Sequence, residues 1–294
     1  MGKASRRRRP GADTARARTA PVPFARRPFE GLPLETAWAA LREVLPAATA
    51  VVPLRQGAGE GLPERFVLAS VLPMSWAALH RADGTVLVGA QTGATSGDAS
   101  RDLAGQLLAA AALEPGTPVV TSVPVTAETP RLQDLVEPAA DLDVEVHEGF
   151  DFWVEGQELS GEAKESLEHA NEAVVPTVPL AALPSAYWVR VSDRTYIRLV
   201  LPDDEDAATD ALARLHAAGL DALGDGTRLL GAFRTSGLLI PVWEVPPETT
   251  AADHEGALGA WGERYAVALA SGGPLTAEER RARSGLLSRQ VTLR

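Results

Sequence analysis

Residues 186–202, AYWVRVSDRTYIRLVLP, admit few folded solutions. Two runs rich in β-branched and aromatic side chains flank Ser192-Asp193, the signature of a hairpin with a two-residue turn. With that turn, Tyr187, Val189, Val191, Arg194, Tyr196 and Arg198 share one face, and Trp188, Arg190, Thr195, Ile197 and Leu199 the other. The next stretch, DDEDAATDALARLHAAGL, changes to helical spacing, and its leading acids suit a helix N-terminus better than a cation site. TRLLGAFRTSGLLIPVWEVP returns to one or two strands, with Arg228 and Arg234 expected on a common side, and GALGAWGERYAVALA predicts a last helix.

The same order of elements is legible earlier in the chain. LETAWAALREVL repeats Leu34, Trp38, Leu41 and Leu45 at helical spacing with Trp38 inward, and Pro46 ends it. RFVLASVL and SWAALHRADGTVLVGAQ predict strands with a turn at Asp83-Gly84, read together as an antiparallel meander. Ser96 or Asp98 caps a helix over SRDLAGQLLAAAALE that Pro115-Gly116 stops, and TPVVTSVPV follows as a strand. DLDVEVHEG alternates like an edge or exposed strand, SGEAKESLEHANEAV reads as a short polar helix, and the Pro-spaced PTVPLAALP as extended or loop. The expected fold is α+β: two similar-sized halves, 29–150 and 185–272, each a mainly antiparallel sheet packed with one or two helices, in the manner of an internal duplication. Residues 151–184 connect them, and LTAEERRARSGLLSRQVTLR, within 273–294, opens on the capping-box pair Thr276 and Glu279.

Charge is segregated along the chain. Met1–Arg27 carries nine Lys/Arg against Asp13, and 280–294 carries five Arg and no acid, which leaves the body between them at −24 out of a total of −11. Residues 1–28 hold few large apolar side chains, cannot repay the entropy of folding, and are expected to form a disordered basic arm. No apolar stretch follows its arginines, so a secretory leader is not expected, and no apolar run reaches the ~18 residues of a membrane helix. The expected location is cytoplasmic.

Recognised catalytic signatures are missing. There is no cysteine, hence no disulfide, thiol nucleophile or cysteine-based metal site. GAGEG at 57–61 is followed by Pro63 and a strand, which fits a Gly-rich turn and not a dinucleotide loop. GATSG at 93–97 lacks the central serine of a nucleophile elbow. None of His80, His147, His169, His216 and His254 forms a close ligand pair. No cofactor, metal or catalytic residue is assigned.

FEGLPLETAWAALREVLPAATA, NEAVVPTVPL and LTAEERRARSGLLSRQVTLR together resemble a family of uncharacterised proteins from high-GC bacteria, over nearly all of 27–294. The resemblance implies a family without implying an activity. Some of those relatives carry an N-terminal zinc module like the one ending the preprotein-translocase motor; this chain, without cysteine, has the Arg-rich arm in its place.

The functional expectation is a non-catalytic protein whose arm, through Arg6, Arg7, Arg8, Arg9, Arg16 and Arg18, binds RNA, the ribosome or another polyanion, with Arg190, Arg194 and Arg198 as a second basic cluster beside tyrosines. Two alternatives stand beside it. One is a small-molecule enzyme or ligand-binding protein using an arginine-lined cleft between the halves, the other a scaffold for a protein partner.

Overall fold

The computed structural model describes residues 20–93, 96–154 and 159–288. The hairpin forms as its spacing predicts: β8 (Ala186–Val191) and β9 (Arg194–Leu199) pair antiparallel, with Tyr187 opposite Arg198 and Val189 opposite Tyr196. Ser192 opens its turn at φ 55, the positive value that turns of this length require. β7 (Thr177–Leu180), β10 (Arg228–Thr235) and β11 (Leu238–Val245) complete a five-stranded antiparallel sheet in the order β10-β11-β9-β8-β7. The Pro-spaced stretch is thus its edge strand, where Pro179 removes no inner ladder bond.

Arg228 and Arg234 do not share a side. The register between β10 and β11 shifts at Leu229/Gly231, so that Arg228 lies opposite Glu244 and Arg234 opposite Leu239. One extra residue in a strand of period two sends every later side chain to the other face.

The first sheet holds β1 (Ala48–Pro53), β2 (Arg65–Ala69), β3 (Ala78–His80), β4 (Val86–Gly89), β5 (Thr117–Val119) and β6 (Val144–Val146), ordered β5-β3-β4-β2-β1-β6. It is not a simple meander. β3 and β4 pair around Asp83-Gly84, but β4 inserts between β3 and β2 and runs parallel to β2. The connection through the 3-10 turn Pro73–Ser75 carries the chain past that position before β4 fills it. Since the second sheet is wholly antiparallel and ordered differently, the two halves do not repeat one topology. β6 takes the edge that its alternation predicts.

The helices are α1 (Glu35–Glu43), α2 (Ala99–Ala111), α3 (Leu132–Leu135), α4 (Gly161–Glu172), α5 (Glu205–Ala217), α6 (Glu255–Ala270) and α7 (Ala277–Ser288). Asp98 caps α2 through the Ser100 N–H, Asp204 caps α5 through Asp206 and Ala207, and Thr276 and Glu279 exchange the two bonds of a capping box at α7. Among the described residues no helix is long and apolar enough to cross a membrane.

Burial joins the halves. Trp38 and Leu41 of α1 share one apolar cluster with Ala50, Phe66 and Leu68 of the first sheet and with Tyr187, Val189 and Ile240 of the second. The opposite face of the second sheet, including Trp188, Ile197 and Trp243, packs on α5 and α6. On the outer side of the first sheet Phe152 and Trp153 pack against Leu72, Leu79 and Leu87, and Phe150 stacks on Trp153 with ring centres 4.3 Å apart. A seam containing α1 therefore runs between the two sheets.

Candidate functional site

The arginines singled out in the sequence do not gather. Arg6, Arg7, Arg8, Arg9, Arg16 and Arg18 lie outside the described residues. At the end of the arm, Arg26 reaches Glu205 (3.3 Å) and Asp206 (3.6 Å) of α5, while Arg27 grips Glu35 through Nε (2.6 Å) and Nη2 (2.8 Å) and also donates to the Pro202 carbonyl. These two cations are thus engaged by the body's own acids.

Arg190 is exposed on the α6 side, its guanidinium 5.0 Å from the Trp188 ring centre and donating to the Pro247 carbonyl. Arg194 is exposed at the hairpin turn, where a hydrogen bond from its side chain to Tyr196 raises its pKa. Tyr187, which shares the face of Arg194 and Arg198, is 4% exposed against the first half, and burial pushes its phenol up to about 12. On that face Tyr187 and Val189 are buried, Val191, Tyr196 and Arg198 are half-buried, and Arg194 is exposed.

Arg198 alone enters the seam. Its neighbours across the strands are Tyr187 on one side and Val242 on the other, so neither supplies a counter-charge. Glu244, the acid of β11 on the same face, is taken by Arg228 at 2.7 Å. Among the described residues no acceptor meets the guanidinium, and its Nε is buried without a partner. Desolvation pulls the Arg198 pKa down, yet a guanidinium stays protonated, so a positive charge sits on a half-buried side chain whose Nε is cut off from water.

Arg198 lines a cavity of about 220 Å³ between its hairpin and the C-terminal end of α1. Val44, Pro46, Val175, Val189 and Val191 form the apolar wall. Gln91 stands beside them with its Nε2 donating to the Leu41 and Leu45 carbonyls (3.0 and 2.8 Å), which fixes the amide and leaves Oε1 without a protein donor among the described residues. Glu43, paired with Arg42 at 3.3 Å, completes the rim. The site therefore offers a cation, a fixed acceptor and an apolar wall.

A second cavity, about 370 Å³, opens at the other end of α1. Leu34 enters it in the left-handed region (φ 48), a conformation that costs a leucine on the order of 1–2 kcal/mol. Trp261 and Tyr265, one turn apart on α6, stack with centres 5.2 Å apart and planes at 12°. Tyr265 donates its hydroxyl to Asp203 Oδ2 at 2.8 Å, and the Trp261 indole N–H is buried without an acceptor. Sequence reasoning treated Asp203 as one more acid at a helix start; Asp204 does the capping, which frees Asp203 for the cavity. The i, i+4 spacing of Trp261 and Tyr265 was the available signal.

The chain belongs to the Family of unknown function (DUF5926), whose model matches residues 28–294. No curated protein and no solved structure matches it.

Proposed function

We propose that this protein is a binding protein for a small carboxylate or phosphate, held at Arg198 in the seam between the two sheets. The observation that carries the reading is a half-buried guanidinium facing a cavity, its Nε enclosed and with no counter-ion among the described residues. Burying a charge without a partner is costly, and a chain that keeps one next to a void gains back the cost when an anion enters. A carboxylate or phosphate accepts from Arg198 in a bidentate fork, while Gln91 Oε1 accepts from a hydroxyl or ammonium on the same ligand. The valine wall favours a short aliphatic body.

The test is calorimetric titration with lactate, L-valine and inorganic phosphate against the intact chain and Arg198→Met. Saturable binding of at least one probe, weakened at least about tenfold by the substitution, is expected. Binding that is absent below about 10 mM, or that is unchanged by the substitution, removes the reading.

A second reading remains the polyanion-binding arm. It is supported by the net charge of +8 over Met1–Arg27, nine Lys/Arg against one Asp. Each phosphate neutralised releases counterion, so RNA retention on filters falls steeply with salt for the full chain and is lost from a chain beginning at Pro28. Equal, weak retention by both rejects it.

A further inference from the structure

The cavity at the N-terminal end of α1 has the opposite polarity to the Arg198 site. Two acidic residues line it, Glu35 and Asp203. Glu35 is neutralised by the two bonds from Arg27. Asp203 has no arginine, lysine or histidine within ion-pairing distance among the described residues, and only Tyr265 donates to it. Burial and the neighbouring carboxylate hold the Tyr265 phenol far above its usual range, so it stays a donor and cannot share the negative charge as a phenolate. Asp203 Oδ1 accepts no protein hydrogen bond among the described residues, whereas Oδ2 is fixed by Tyr265.

From this geometry we propose that the cavity binds an organic amine, its ammonium on Asp203 and its apolar body between the Trp261–Tyr265 stack and Leu34, Leu183 and Leu201. An anion could accept from the Trp261 N–H but would stand against the Asp203 carboxylate, which no cation among the described residues screens. A neutral apolar ligand would strip water from that carboxylate and return nothing. A cation gains the ion pair in a site of reduced dielectric and, beside aromatic rings, an attraction that neutral isosteres lack. Thr36, whose hydroxyl accepts from Ser185 at 2.8 Å, and the unpartnered Trp261 N–H are further polar groups of the lining. The inference is independent of the anion site, which lies at the opposite end of α1.

The probe is 2-phenylethylamine, titrated calorimetrically into the full chain, with 2-phenylethanol and 3-phenylpropionate as neutral and anionic analogues of similar shape. The amine is expected to bind saturably and at least about tenfold more tightly than either analogue. Asp203→Asn keeps an acceptor for Tyr265 and is expected to erase the preference for amine over alcohol; thermal unfolding checks that the variant folds. If Asp203→Asn does not fold, the analogue series on the unaltered chain decides alone. Failure of the amine to saturate, equal binding of the alcohol or the carboxylate, or an amine preference that survives in Asp203→Asn would each overturn the proposal.

Discussion

Two arginines, one buried and one half-buried, carry opposite expectations. Arg81 donates to the Phe152 carbonyl and to Asp83, and that bond holds the Asp83 carboxyl at about 2. Removing it as Arg81→Met leaves the Phe152 carbonyl without its donor, while the exposed Asp83 is rehydrated, and is expected to cost about 1–2 kcal/mol. Arg198 has no such partners among the described residues, so Arg198→Met relieves desolvation and is expected to raise stability by about 1 kcal/mol while removing anion binding. Urea denaturation distinguishes them, and a destabilised Arg198→Met would mean that the residue serves the fold. His254 gives the pH dependence. It is 5% exposed, shares a 2.7 Å hydrogen bond with Thr249, and burial lowers its pKa from 6.5 although Asp253 pulls the other way. A depressed folded value means that the unfolded chain takes up the proton first. Its contribution is therefore fully present above pH 6.5 and is lost as the pH falls through the lower folded value. Thermal unfolding from pH 8 to 5 should show a steeper loss in the intact chain than in His254→Gln; parallel curves would refute this.

At the scale of the element, the first turn of α5 is where three remote segments are tied. Glu205 receives Arg26 and Arg234 (3.3 and 3.0 Å), and Arg283 of α7 spans Asp206 and Asp210 (2.9 and 2.6 Å). Most of these pairs reach solvent, so each contributes little and fades with salt. The cap is different. Asp204 satisfies two free N–H groups at the positive end of the helix dipole, and Asp204→Ala is expected to cost about 1 kcal/mol with an unchanged urea slope. A loss below a few tenths would assign α5's stability to its packing alone. The acidic run was legible as a helix start, but which acid caps, which pairs and which turns to a cavity depends on side chains that approach from α6, α7 and β10.

For the whole molecule, the decisive feature is the shared core. Tyr187, Val189, Val200, Leu238 and Ile240 of the second half are buried against residues of the first. At roughly 1.5–3 kcal/mol for each large side chain, that interface is comparable with the net stability of a domain. Scanning calorimetry should therefore give one transition whose calorimetric and van't Hoff enthalpies agree. Two resolved transitions, or a cooperatively folding fragment 175–294, would show that the halves are independent.

Periodicity and caps were enough to place α1, α2, α5, α6, the hairpin and its two faces, because those signals act between residues two to four apart. The partner of β2, the inversion of Arg228 against Arg234 and the joining of two halves into one core were decided by pairing and burial among residues distant in the chain. Arg198 shows the division most plainly. Its place on a face shared with Tyr187 follows from the alternation of a strand, whereas its want of a counter-ion follows from Glu244 being taken by Arg228 and from α1 closing over the sheet, neither of which a local pattern encodes.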